Sequence, residues 1–461
     1  MNAKTMHPGL AEEFFSLGKL ATPLILTSLV SMGLAITDVI MMNWLGPAEL
    51  AAGAATSDYY SIIFYVVGGI VAAMSPMLSQ ARGAGNVDEV REYTHHGFIL
   101  ALIISIPCAS IVWHSPSILS LIGVEASIVD LAYGYAHMMS LTFIFMVCSV
   151  ACHDFLAAHE RTNIILYISL IGLPVNAIAN YIFMFGKAGF PAMGLAGAGL
   201  ASALVSAVML ITYIIYILNH KDFKHYHLVA SRWRLSWKRM NALIRVGLPI
   251  GVSTFGELGV YLLSTVVIGV FGVEALAAHA LVLRLAGALY AVPLGLSQAA
   301  TVRGGMAMGA NDHHAYKRTA KAALIIAISI GVFYLITLGL LRESLATNFF
   351  DEENIKIATL AITLLGLLAM TQPFECIATV SNGLLRGMKD TKIPMIISVS
   401  AFWGFGVGGG WTIAFYYGFE ATGIWIGLLM ASAAYCFAMF SRFIMMLRYP
   451  HLPHNNDSVL P

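Results

Sequence analysis

Gly46-Pro47-Ala48-Glu49-Leu50-Ala51-Ala52 returns 226 residues later as Gly272-Val273-Glu274-Ala275-Leu276-Ala277-Ala278, and the same offset holds on both sides of it. Toward the N-terminus, Lys19 and Pro23 answer to Arg245 and Pro249; toward the C-terminus, Gly83-Ala84 answers to Gly309-Ala310 and Gly197 to Gly423. The chain of 461 residues is thus one pattern written twice with almost no gaps. In an apolar chain, such a duplication points to a transporter scaffold.

The chain is apolar. Hydrophobic residues make up 59% and charged residues 11%, against about 25% charged in an ordinary soluble domain. With roughly 20 apolar residues needed to cross the hydrocarbon core, the sequence predicts an all-α membrane protein of twelve helices, near 17–44, 51–82, 94–114, 127–156, 163–186, 194–219, 241–270, 274–303, 318–341, 357–385, 392–418 and 421–446. Six helices per repeat is an even number. Both repeats therefore enter from the same side and form two six-helix lobes related by a pseudo-twofold axis along the membrane normal. The expected division is an N-lobe over 1–220, a basic linker over 221–240 and a C-lobe with a short tail over 241–461.

Arg82, Arg91, Arg161, Lys317, Arg318, Arg386, Lys389 and Lys392 fall at the even-to-odd connections, as does the linker with Lys221, Lys224, Arg232, Arg234, Lys238 and Arg239. The opposite connections hold little beyond Lys187, Arg342 and Lys356. The positive-inside rule then places both termini in the cytoplasm of a bacterial inner membrane protein. Trp233 and Trp237 read as interfacial anchors of the linker. A net charge of +1 speaks against nucleic acid as a partner, which requires a concentrated basic face. Cys108, Cys148, Cys152, Cys376 and Cys436 lie in apolar segments without metal-ligand spacing and read as packing residues. The first apolar stretch is too long for a cleaved leader and reads as a working helix.

No enzyme signature stands out. Cys152-His153-Asp154 is consecutive, so on a helix its side chains diverge. Gly404-x-Gly406-x-x-Gly409 matches a dinucleotide fingerprint in form, yet it lies in mid-membrane with no preceding strand, and helix packing is the better explanation. No phosphate-cradling loop ending in Lys-Ser or Lys-Thr is present, so neither ATP nor another cofactor is expected.

What remains is a set of ionisable residues inside apolar helices: Asp38, Asp58, Glu257, Arg284 and Glu375. Each is costly to bury and a functional candidate for that reason. At about 1.5 Å of rise per residue, Asp38 and Asn180 lie roughly 9 Å from the outer ends of their helices, with Asn176 and Ser202 roughly 13 to 15 Å in. Asn176 and Asn180 share one helix face. A carboxylate, two amides and a hydroxyl in one stratum can carry a proton on Asp38 or form a small oxygen cage for a monovalent cation.

Pro23 with Asp38 fifteen residues on, Pro174-x-Asn176-x-x-x-Asn180, Gly197-Ala198-Gly199, and Leu385-Arg386-Gly387 with Asp390 together resemble the multidrug and toxic compound extrusion (MATE) family, most closely its bacterial NorM-type branch, over about Leu17 to Arg442. The resemblance implies a cation-coupled multidrug antiporter whose two lobes form a V around a central cavity. It places the N-lobe cation site on Asp38, Asn176, Asn180 and Ser202, the last with Ser where relatives often have Thr. It places the carboxylates of the seventh and tenth helices on Glu257 and Glu375, the latter Glu where NorM-type relatives have Asp. The archaeal branch has Asp at the position of Asn180, so this cage carries less negative charge.

The two halves have diverged at these sites: the repeat equivalents of Asp38 and Glu257 are Ser264 and Ser31. Asp58 and Arg284 occupy one repeat position with opposite charges, and read as a gate pair closing the outer mouth; the competing reading pairs Arg284 with Glu257 or Glu375. Pro23 and Pro249 mark equivalent kinks or hinges. Tyr59, Tyr60, Tyr65, Tyr133 and Tyr135 are candidate cavity residues for organic cations. The expected activity is export of cationic or amphiphilic drugs in exchange for H+ or Na+, with H+ favoured, by a monomer in the lipid bilayer. A flippase for lipid-linked oligosaccharides is the alternative, disfavoured because Arg284 is the one basic residue deep in a helix and pyrophosphate needs several.

Overall fold

The computed structural model describes residues 9–448 apart from 122, 230–234 and 351–354. Among them, twelve helical spans are long and apolar enough to cross a membrane, and no strand occurs. In chain order these are α1 (Leu10–Asn43); the pair α2 (Pro47–Val71) and α3 (Met74–Gly83); α4 (Val87–Trp113); α6 (Ala126–Ala158); α7 (Thr162–Phe185); α8 (Leu195–Asn219); α9 (Trp237–Gly269); α10 (Val273–Gly309); α11 (His313–Phe349); α12 (Ile355–Gly387); α13 (Lys392–Val399) with the π-helical Ser400–Gly409 and Thr412–Tyr416; and α14 (Glu420–Arg448). The short α5 (Ser115–Leu121) follows α4, and a 3-10 helix, Lys221–Tyr226, follows α8. Every expected span is present. Helix starts run beyond the apolar stretch because polar first turns continue the hydrogen-bond ladder: α1 begins seven residues before the expected Leu17, and α4 opens on Asn86, whose side chain accepts from the Glu89 amide.

The second span is broken. Pro76 has no amide to give and its ring collides with the carbonyl four residues back, and the helix is interrupted at Ala72 and Ala73. Asp154 of α6 takes up the Ser75 amide at the start of α3. This gives the last residue of Cys152-His153-Asp154 a structural partner, and the middle one, His153, meets the Tyr213 hydroxyl through Nε2 at 3.1 Å.

The residues form two compact units, and the division does not fall at the linker. One comprises the residues up to Ile25 together with those from Val252 on; the other is Leu26–Gly251. The borders are themselves 226 residues apart and lie two residues after Pro23 and Pro249. The N-terminal part of each repeat's first helix thus groups with the unit built by the other repeat.

Within the N-terminal unit, α9 begins against α2. A Cβ on Gly247 would lie 2.0 Å from the Ile70 carbonyl oxygen and one on Gly251 2.6 Å from that of Val66, so Gly247-x-x-x-Gly251 lets two backbones touch. Arg239 at the start of α9 donates to Glu92 at 2.7 Å, Glu89 at 3.3 Å and the Tyr93 hydroxyl at 3.2 Å on α4. His96 and His95 of α4 hold the linker through the Ser236 amide (2.9 Å) and the Leu228 carbonyl (2.8 Å). Trp237 is 75% exposed; Arg232, Trp233 and Arg234 lie outside the described residues.

Within the C-terminal unit, the start of α1 is held the same way with the charges exchanged. Glu13, 3% exposed, accepts both arms of Arg303 of α10 (2.8 and 2.7 Å) and the Thr319 hydroxyl of α11 (2.7 Å). Glu13 is the repeat equivalent of Arg239, and Thr319 that of Tyr93. Two clasps at equivalent positions hold the exchanged half-helices.

Candidate functional site

Asp38, near the C-terminal end of α1, and Asn176 and Asn180 of α7 converge in the N-terminal unit. Asn180 Nδ2 donates to Asp38 Oδ1 at 2.6 Å and to Asn176 Oδ1 at 3.2 Å. Asn176 and Asn180 are 3% and 0% exposed. The orientation of the Asn180 amide is forced, because turning it over would set an oxygen against two acceptors. That leaves Asn180 Oδ1 buried with no hydrogen-bond partner. The Tyr135 hydroxyl lies within electrostatic reach of Asp38 and pairs with Ser57 at 2.9 Å.

Three of the four expected cage residues are therefore joined. Ser202, half-buried on α8, has no hydrogen bond to the other three among the described residues. Gly197-Ala198-Gly199 ahead of it is explained by packing: a Cβ on Gly197 would sit 2.5 Å from the Phe183 carbonyl oxygen and one on Gly199 2.7 Å from Met138 Cβ.

The C-terminal unit carries a second acidic centre. Glu257 of α9 accepts from Ser398 at 3.0 Å and from Ser253 at 3.5 Å, and is bonded to Tyr435. Glu375 of α12 accepts on one oxygen, Oε1, from Tyr261 at 2.8 Å and Ser432 at 2.9 Å. The two acids feel each other's charge, and the cation whose charge reaches Glu257 is Arg386. Arg284 is exposed and makes no ion pair with either acid among the described residues. Arg386 belongs to Leu385-Arg386-Gly387, in which a Cβ on Gly387 would lie 3.0 Å from the Thr301 carbonyl oxygen; Asp390 beyond it pairs with Arg442 at 2.8 Å.

Asp58 is exposed. Tyr65 and Tyr133 are 51% and 41% exposed, whereas Tyr60 and Tyr135 are packed at 8% and 2%, Tyr60 edge-on against Phe143. Tyr59 is half-buried. Of the glycines in Gly404-x-Gly406-x-x-Gly409, only Gly406 is closely packed, where a Cβ would lie 3.2 Å from Val260 Cγ1; the tighter approach is at Gly427, where a Cβ would lie 2.4 Å from the Gly410 Cα. Among the described residues no group of three or more His, Cys, Asp or Glu side chains is arranged to hold a metal ion, and the cysteines form no disulfide. The sequence reading passed over His279, a fully buried histidine between Thr265 and Trp425; a lone His in an apolar run was the available signal.

The MatE family profile matches the chain twice, over residues 23–182 and 249–412, and the two matches begin one repeat apart. A "Probable multidrug resistance protein NorM" of Mesorhizobium japonicum is 35% identical over 431 residues, covering 92% of each chain, and one of Synechocystis is 29% identical over 457 residues, covering 97% of this chain and 98% of the relative. In fold, a MATE transporter of Vibrio cholerae aligns with a TM-score of 0.87 at 16% identity over 95% of this chain and 98% of that one; the eukaryotic MATE transporter AtDTX14 aligns at 0.84 and 20% over 95% and 97%. A doubled six-helix pattern, a paired family match and relatives alike over almost their full length lead to one assignment: the chain is a multi-pass membrane protein of the MATE family.

Proposed function

We propose that the protein exports organic cations and amphiphilic drugs across the bacterial inner membrane in exchange for inward-moving H+, with both termini in the cytoplasm. The curated relatives bear the name of multidrug resistance proteins, which supports drugs as the cargo. Asp38 is the coupling acid, Asn176 and Asn180 grip it, and Glu257 and Glu375 form a second acidic centre that attracts cationic cargo. Protonation discharges Asp38 and lowers the affinity for a cation, and its release toward the cytoplasm resets the site. Tyr65 and Tyr133 offer exposed aromatic faces to the cargo.

One observation carries the choice of H+ over Na+. With Asp38 ionised, Asn180 spends both amide hydrogens and its Oδ1 is left buried and unpartnered, a state that costs on the order of 1–3 kcal/mol. Protonation of Asp38 creates a hydroxyl donor, and the Asn180 amide can turn to accept it. A sodium ion would instead need several more oxygens than one carboxylate and two amides supply. In proteoliposomes given one gradient at a time, drug export follows an imposed pH gradient and ignores a sodium gradient; export driven by sodium alone would overturn the proton assignment.

A further inference from the structure

Two hydrogen-bonded rungs join α9 to α14 inside the C-terminal unit. The lower one is the acid already described: Glu375 Oε1 between the hydroxyls of Tyr261 on α9 and Ser432 on α14, at 2.8 and 2.9 Å. The upper one lies one turn further along α9 and two turns earlier on α14. There His279 of α10 bridges Thr265 Oγ1 at 2.9 Å and Trp425 Nε1 at 3.1 Å. His279 is 0% and Trp425 1% exposed. Four residues on one helix and seven on the other separate the rungs by roughly 6 and 10 Å.

The hydrogens of the upper rung have only one arrangement. An indole N–H can only donate, so His279 Nδ1 accepts, the imidazole is neutral with its proton on Nε2, and Nε2 donates to Thr265. The Thr265 hydroxyl then donates to the Tyr261 carbonyl oxygen, 3.2 Å away. A charged imidazole would set an N–H against the indole N–H. The device has no counterpart in the other repeat, where the equivalent position is Gly53 and a Cβ would fall 2.5 Å from Met42 Sδ. It is present only in the repeat that holds Glu257 and Glu375.

We propose that His279 is a positioning residue for Glu375: the upper rung fixes the spacing and rotation of α9 and α14 at which Tyr261 and Ser432 reach the same carboxylate oxygen. The inference rests on Glu375 being part of the acidic centre that attracts the cargo. Hydrogen bonds weaken steeply with distance and misalignment, so a small drift of either helix costs the carboxylate one charge-assisted donor. The titratable groups around Glu375 are Glu257 and Tyr261 on α9, Tyr290 on α10 and Cys376 beside it on α12. None of the substitutions below alters them.

The test compares His279→Gln, which keeps one acceptor and one donor but cannot titrate, with His279→Leu, which fills the space and offers neither. Both are reconstituted, matched for thermal midpoint, and assayed for drug export across pH. The Gln variant keeps the wild-type pH profile; the Leu variant displaces its half-maximal point by about one pH unit, the scale of one lost donor, and exports about tenfold less at the wild-type optimum. Thr265→Val and Trp425→Phe displace the profile in the same sense and stand in if the Leu variant does not fold. Infrared difference spectra supply a readout independent of transport, through the carboxyl band that Glu375→Gln removes: His279→Leu shifts it and His279→Gln does not. If all variants share the wild-type profile and band, His279 is packing alone and the proposal falls. If Gln fails as Leu does, the histidine itself titrates and the proposal falls equally. Normal export by Glu375→Gln would sink the cargo-attracting role of that acid instead, and the infrared band would still decide the positioning.

Discussion

Removing the Glu13 side chain tests whether the exchanged half-helix of α1 is anchored by its clasp. Glu13 is 3% exposed and receives three hydrogen bonds at 2.7 to 2.8 Å, two of them from one guanidinium. Glu13→Ala leaves Arg303, itself 21% exposed, without its carboxylate, and breaking a buried pair from one side costs about 3–5 kcal/mol. Arg303 is not fully enclosed, so the lower end applies, about 3 kcal/mol. At about 2–4 °C per kcal/mol for a unit of this size, the thermal midpoint in detergent falls by roughly 6–12 °C. Glu13→Ala with Arg303→Met is expected to recover at least half of that loss, since the stranded charge is gone. The assay is a thermal double-mutant cycle on purified protein. A fall of less than about 1 °C for Glu13→Ala, or strictly additive single effects, would refute the clasp.

Two further outcomes follow from the same geometry. Gly247→Ala in α9 is expected to lower stability by about 1–3 kcal/mol, because its Cβ would sit 2.0 Å from the Ile70 carbonyl oxygen, whereas Gly287→Ala, with open space around it, leaves the midpoint unchanged. His159, just beyond the end of α6, is pushed down to about 4 by burial, with Nδ1 on the Phe155 carbonyl and Nε2 on the Tyr226 hydroxyl. Its unfolded form binds a proton between pH 6.5 and 4 and its folded form does not, so stability is intact above pH 6.5 and declines toward pH 4; midpoints measured across that window show a slope in the wild type that His159→Gln removes.

The spans could be read from the chain because they are local in origin, whereas the meeting of Asp38 with Asn180, 142 residues away, is set by the fold. Apolar length gives a crossing helix wherever it occurs, and Asn176 and Asn180, four apart, must share a face at the depth of Asp38. The exchange of half-helices could not be read this way. Nothing in the pattern around Leu17 or Met240 says which neighbours those turns choose, and Glu13 and Arg239 conceal their equivalence behind opposite charges. The break at Ala72 had a signal in Pro76 that hydropathy, being continuous there, overrode. His279 needed two helices distant in sequence before its partners were visible, and Arg386, placed by its motif at a cytoplasmic connection, reaches Glu257 with its charge only once α12 is folded beside α9.

The most direct test of the account is uphill export by purified Asp38→Asn protein in proteoliposomes under an imposed pH gradient. The account predicts that cargo equilibrates at most and never accumulates against its gradient, while folding and cargo binding persist. Accumulation at the wild-type rate would contradict it.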